Sequence, residues 1–275
     1  MLDLTAALDT VDRDLLLLHL EHQYGLYGVV LRWFQSYLSV RSFRVTYFNQ
    51  TSSIVHVVCS VPQGSVLGLR LFILYISDLA EVVQQYQVNF HAYAGDNQLY
   101  LHCHQDAMMS VVDHLERCLT AVSYWMAANR LKLNAEKTEL LWASLRHSAA
   151  MLGNNGPSLK LDQDTFAPSK HVRVLDVTFS SDLSLDDRVT RVSATCFYWL
   201  HQLRQVQRSL AEEAMKMQVH AFIISRVDYC NTAFTRSLKS ATDTLQRVLN
   251  AAARLVTSTH KYDRGLSSLL HEQLH

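Results

Sequence analysis

The stretch "HAYAGDNQLY", residues 91–100, reads as an apolar strand, a tight turn and a second strand, with one carboxylate, Asp96, beside Gly95 at the turn. It anchors the reading of its surroundings. Downstream, a helix is expected from about Met108 to Ala128, and "LKLNAEKTELLWA" (131–143) suggests a turn and a strand. Upstream, "VPQGSVLG" (61–68) is a polar, glycine-containing loop, and "LFILYISDLAEVV" (71–83) continues it as a helix. "FRVTYFNQTSSIVHVV" (43–58) has two β-rich runs around Asn49 to Ser53 and is expected to be a hairpin. "VVLRWFQSYLS" (29–39) sets Leu31, Phe34 and Leu38 at helical spacing. At the start, "LDLTAALD" begins as a short strand, and Asp12 or Asp14 caps a helix that uses Leu15, Leu16, Leu18 and Leu20 and breaks at Gly25 and Gly28.

Beyond residue 145 the character changes. From Arg146 to Lys170 the chain carries Gly153, Asn154, Asn155, Gly156, Pro157 and Pro168, which marks the best candidate boundary. A small hairpin is expected within 158–179, then three amphipathic helices near 187–209, 211–229 and 239–257. Trp199, Phe197, Phe222 and Tyr229 read as core in preference to a base-stacking platform. Arg188, Arg191, Arg204, Arg208, Lys216 and Arg226 read either as a solvated ladder or as phosphate contacts.

Composition sets limits. The 275 residues are about half apolar, enough for one large domain or two modest ones. Basic and acidic residues balance at 25 each, so net charge gives no sign of a nucleic-acid partner, although a local basic groove is compatible with neutrality. Five cysteines without a C-x-x-C pair imply neither a zinc ribbon nor a disulfide framework, which fits a reducing setting. His102 and His104 lack a third ligand and read as surface residues, and the sequon at Asn49 matters only in a secreted protein. No signal peptide or membrane span is visible, so an intracellular location, nuclear or cytoplasmic, is expected.

Four stretches stand in order: "LDLTAALDTVD", "VPQGSVLG", "AYAGDNQLY" and "LKLNAEKTELL". Together with "HVRVLDVTFSSDLS", "HAFIISRVDYCNTAF" and "LQRVLNAAARLV", they resemble the reverse transcriptase domain of non-LTR (long interspersed element) retrotransposons across essentially the whole chain. The resemblance implies an RNA-directed DNA polymerase that uses Mg2+ (or Mn2+), deoxynucleoside triphosphates, an RNA template and a DNA primer. Two-metal nucleotide transfer needs carboxylates that converge from separate strands. By resemblance Asp3 is a metal ligand, Asp96 is a second, and Gly95 stands where the family carries its principal hairpin aspartate. Lys137 matches the lysine that protonates the departing pyrophosphate. Leu8 sits at the position facing the sugar, and Pro62, Gln63, Gly64 and Ser65 match the loop against template base and nucleotide. A plain helix start with Ser65 as cap is the alternative for that loop. Lys132 and Arg130 are surface residues or phosphate contacts.

Departures from the family pattern suggest decay. Gly95 supplies no ligand, though it suits a turn that prefers positive φ. Leu69 replaces a proline, Leu8 an aromatic residue, and Asp176 the glycine of L-G-V. The fingers region that precedes Asp3 in the family is expected to be missing, making the chain N-terminally truncated. The expected fold is α+β: a partial polymerase palm, an antiparallel sheet backed by helices, at 1–145; a linker and small β-hairpin at 146–180; and a helical thumb-like region at 181–275. The expected function is a reverse-transcriptase-like protein whose polymerase activity is lost. Its rivals are a non-catalytic nucleic-acid-binding module and a decayed remnant without a role.

Overall fold

The computed structural model describes residues 1–144, 156–231, 239–257 and Thr259. They form a mixed α and β chain that divides into two compact units. The first comprises residues 1–140 and 154–169, and the second comprises residues 141–153 and 170–275.

In the first unit, α1 (Arg13–His22) starts at Asp12, whose carboxylate accepts from the Leu15 amide at 2.9 Å and so closes the first turn. Of the two expected caps, Asp12 is the one used. Helix α2 (Val29–Leu38) follows, with Leu38 buried and Leu31 and Phe34 on the same inward side, while Val29, Val30 and Trp33 face solvent. The expected hairpin at 43–58 is present as two short ladders of exposed residues. Its outer pair is β1 (Ser42–Phe43) with β4 (Val55–His56), and its inner pair is β2 (Thr46–Tyr47) with β3 (Gln50–Thr51).

The apolar segment expected as one helix is two: α3 (Gly68–Ile76) and α4 (Leu79–Gln85), interrupted at Ser77-Asp78. Helix α5 (Met108–Ala128) packs against α4. Tyr75 of α3 is fully buried and donates to the Asn129 carbonyl at 2.6 Å, which joins α3 to the end of α5; burial pushes its hydroxyl pKa up to about 12. Between these helices lies the antiparallel pair β5 (Asn89–Tyr93) and β6 (Asp96–Tyr100). The single small hairpin expected within 158–179 is two. The first, β7 (Leu159–Leu161) with β8 (Asp164–Phe166), belongs to the first unit, where Glu116 of α5 accepts from the Lys160 amide at 2.7 Å. The second, β9 (His171–Val174) with β10 (Val177–Ser180), belongs to the second unit.

That second unit is otherwise helical. It contains α6 (Asp186–Val206), α7 (Glu212–Val219), a π-helical turn at His220–Ile224 that leads into α8 (Ser225–Asp228), and α9 (Lys239–Thr257). Their apolar faces enclose a core that includes Cys196, Val219, Ile223, Val248 and Ala252. Trp199 and Phe222 stack against this core with ring centroids 4.4 Å apart, as expected of core residues. Phe197 and Tyr229 are exposed instead, since helical spacing alone does not say which flank of an amphipathic face is covered. Among the described residues no helix is long and apolar enough to cross a membrane.

The five thiols fall into two groups. Cys59, Cys103 and Cys230 are exposed, whereas Cys118 and Cys196 are buried, and burial pushes both of their thiols up to about 11. Thiolate is the reacting species, so an alkylating reagent at pH 8 is expected to modify three cysteines in the native protein and five in urea. Mass spectrometry of the two reactions checks this; fast native labelling of Cys118 or Cys196 would contradict the packing.

Candidate active site

The residues around Asp3 are held by pairing to two neighbours. Leu2 exchanges both backbone hydrogen bonds with Asn97 of β6, at 2.7 and 3.2 Å, in an antiparallel bridge. On the other side Leu4 bridges Leu133, the Thr5 amide donates to the Lys132 carbonyl, and the Asn134 amide donates to the Asp3 carbonyl at 2.9 Å. Leu2, Leu4 and Asn97 are buried, so alternation turns the Asp3 side chain to the opposite face. Leu2 and Asn97 form an isolated hydrogen-bonded bridge, and Asp3 and Asp96 are the residues that flank it on the two segments. The bridge thus joins the segments that carry the two carboxylates.

Lys137 brings a cation near Asp3: its Nζ lies 3.9 Å from Asp3 Oδ2. The turn that carries it is closed by Asn134, whose carbonyl accepts from the Thr138 amide and hydroxyl at 2.9 and 2.8 Å. A lysine in "AEKTE", which by itself reads as a solvated charge, is here pinned beside a carboxylate.

The β5–β6 turn is Ala94-Gly95. The expectation that glycine serves a positive φ at position 95 is corrected here. Ala94 carries the left-handed conformation, at φ 55°, and Gly95 does not. A Cβ built on Gly95 would meet only the Ala7 Cβ, at 3.9 Å. Glycine at 95 therefore answers no steric or conformational need. Asn97 steadies the turn, its side-chain amide donating to the Gly95 carbonyl at 3.1 Å. Sequence reasoning passed over Asn97; its signal was a fully buried, β-poor residue inside a strand.

Leu8 and the 62–65 loop are neighbours, since the Val61 amide donates to the Leu8 carbonyl at 3.0 Å. In the loop, Gly64 takes φ 79°, and Ser65 Oγ donates to the Pro62 carbonyl at 2.7 Å while accepting from the Gly68 amide at 3.0 Å and from the Tyr37 hydroxyl at 3.0 Å. Ser65 Oγ thus meets the amide of the first residue of α3 although the N-cap position is Leu67, and Gln63 and Gly64 are exposed. Leu69, in place of a family proline, is an exposed residue of the first turn of α3, where either residue is accommodated. Arg130 forms an ion pair with the buried Asp12, so the cation read as surface or phosphate contact ties the end of α5 to the start of α1.

Magnesium takes hard oxygen ligands in a near-octahedral shell, one or two of them from protein carboxylates. Asp3 and Asp96 are of the ligand type that one such ion takes. Among the described residues no group of three or more His, Cys, Asp or Glu side chains comes together, so the donor set does not fit a pair of ions.

Asp176, in place of the family's glycine, lies in the second unit in the two-residue β9–β10 turn, where Leu175 and Asp176 take φ 46° and 66°. The left-handed conformation expected to be lost is kept, because aspartate tolerates it better than most side chains. The ion-paired Arg173 guanidinium holds the Asp176 carboxyl below the usual carboxylate range. The support this pair gives the hairpin is therefore present above the ordinary carboxylate pKa and is lost as pH falls through the lowered one.

A family model described as reverse transcriptase (RNA-dependent DNA polymerase) matches residues 1–179. Three similar proteins come from Drosophila melanogaster. The RNA-directed DNA polymerase from mobile element jockey is 26% identical over 58% of this chain and 17% of its own length. The probable RNA-directed DNA polymerases from transposon BS and transposon X-element are each 24% identical, over 99% and 87% of this chain and 30% and 26% of their own lengths. The chain spans less than a third of the length of these relatives. The match covers more than half of the chain, so the chain belongs to the reverse transcriptase family, and its relatives are polymerases of non-LTR mobile elements.

Proposed function

We propose that this chain is a non-LTR reverse transcriptase domain with a palm at 1–145, a linker and hairpin region at 146–180 and a thumb-like helical region at 181–275, and that its polymerase chemistry is silenced at Gly95. The observation that supports the reading is the Leu2–Asn97 bridge, which joins the segments of Asp3 and Asp96 beside a glycine that the turn does not require. In this reading the Asp3 segment and the β5–β6 hairpin supply one carboxylate each, and Lys137, 3.9 Å from Asp3, offsets part of their charge. RNA template, DNA primer and deoxynucleoside triphosphates are the substrates that the family implies, with a divalent metal as cofactor. When bound, such an ion polarises phosphoryl oxygens and activates the attacking hydroxyl. Two carboxylates hold one ion and leave the second without its ligands, so no transfer step is assigned to the chain as it stands.

Primer extension on an RNA template with Mg2+ or Mn2+, run beside Asp3→Ala, tests this. No extension above the Asp3→Ala background is expected. Extension by the unaltered chain that Asp3→Ala abolishes would overturn the silencing and leave the family assignment intact.

A further inference from the structure

The second unit contains a cavity of about 370 Å³ between the β9–β10 hairpin and helices α6 and α8. Arg173, Asp176 and Thr178 come from the hairpin; Arg188, Arg191, Val192 and Thr195 from one face of α6; and Ser225, Arg226 and Tyr229 from α8 and its end. Four guanidiniums thus share one cavity with a single lining carboxylate. Three of them are fixed by contacts: Arg173 pairs with Asp176, Arg188 donates to the Tyr229 carbonyl and lies over the Tyr229 ring at 5.6 Å, and Arg191 donates to Thr178 Oγ1 at 3.0 Å. Tyr229 is itself held by its hydroxyl, which donates to the Leu175 carbonyl at 2.7 Å. The fourth, Arg226, is exposed, and its charge adds to that of Arg173 in lowering the Asp176 carboxyl.

Guanidiniums crowded at this density repel one another, and an anion with several acceptor oxygens relieves that repulsion through charge-assisted, bidentate bonds. A phosphodiester brings one charge on an extended chain, which suits a groove. A terminal phosphate brings close to two charges at one point, which suits a concavity with an arginine excess. The volume exceeds that of the phosphate alone, and Val192 beside the Tyr229 ring offers an apolar wall for whatever the phosphate is attached to.

We propose that this cavity binds the phosphate of a phosphomonoester, and that the Asp176 carboxylate occupies part of the same arginine cluster as an internal competitor. The inference goes beyond the polymerase reading and does not depend on it. Free phosphate and the phosphorylated end of a nucleic acid share this chemistry, and the test separates them.

Titration of the full chain with inorganic phosphate, followed by calorimetry in chloride-balanced buffer, is the first arm. Asp176→Asn keeps a residue that tolerates the left-handed turn and is expected to tighten phosphate about tenfold, while Arg226→Gln, at an exposed position, is expected to weaken it about tenfold. The second arm compares one single-stranded oligonucleotide with and without a 5′ phosphate. Tighter binding of the phosphorylated strand, with the same response to both variants, identifies a nucleic-acid end as a ligand of the site. Phosphate binding with no preference between the strands supports the site with free phosphate as its ligand. Equal binding of the two strands with no phosphate binding, or phosphate affinities unchanged in both variants with native circular dichroism, overturns the proposal.

Discussion

The Gly95→Asp chain is expected to fold as the parent does and to bind Mn2+ at least 10–100-fold more tightly, since even an outer-shell partner of a metal site is worth that much. Folding is spared because Gly95 lies outside the left-handed region and its new Cβ meets only Ala7 at 3.9 Å. Ala94, the residue that bears the positive φ of the turn, is untouched. The added carboxylate joins Asp3 and Asp96 at the end of one strand pair and brings the donor set to three. If a second ion then contributes about 3 kcal/mol, primer extension should rise roughly 100-fold above the parent. Asp3→Ala in the Gly95→Asp background should abolish both gains. The checks are Mn2+ titration by electron paramagnetic resonance and extension on an RNA template. Tighter Mn2+ binding without extension would place the defect elsewhere in the polymerase; unchanged Mn2+ affinity in a folded variant would refute the geometry of the site.

Gly68→Ala should have the largest cost in stability. A Cβ there would lie 2.2 Å from the Pro62 carbonyl oxygen and 3.1 Å from its carbon. Both are backbone atoms, held by Ser65 Oγ, which donates to that carbonyl and accepts from the Gly68 amide. The loop from Pro62 to Ser65 and the start of α3 must move apart, at a cost of about 3 kcal/mol, the upper end of what overpacking costs. Gly64→Ala is the comparison: its Cβ meets nothing within 4 Å, so only the positive φ is penalised, by about 1 kcal/mol. Urea unfolding of the two variants checks the order. If Gly68→Ala lies within 0.5 kcal/mol of the parent, the close approach of Pro62 to Gly68 is wrong.

Local periodicity and turn chemistry made much of the fold legible. Helix α5 was readable at both ends because its apolar positions repeat without a breaker over 21 residues. The β5–β6 hairpin and the inward face of α2 were readable for the same reason. What escaped was everything decided by packing. Ser77-Asp78 divides one apolar run into α3 and α4, and the alternation in 158–179 does not reveal that its two hairpins join different units. At the site, motif order singled out Lys137 and Asp3, which lie 3.9 Å apart, but the φ requirement of the turn was assigned to the wrong residue. A glycine in a turn attracts that assignment, and only backbone geometry shows that the neighbouring Ala94 carries it. The arginine cavity had no local signature, because Arg173 and Arg226 meet only through the fold of the second unit.

The pairing of the Asp3 segment has a consequence for the order of assembly. Most of the elements close over short spans of chain, as hairpins and single helices do. The site closes over long ones: Arg130 meets Asp12 across 118 positions, and Leu4 waits for Leu133. Long-range contacts form only after loop closure has been overcome, so the bridges of Leu2 and Leu4 are among the last features to come together. During synthesis the strand that bears Asp3 emerges well before its partners, and at ordinary elongation rates it stays unpaired for on the order of 10 s. Leu2, Leu4 and Val11, all buried at the end, are exposed throughout that interval.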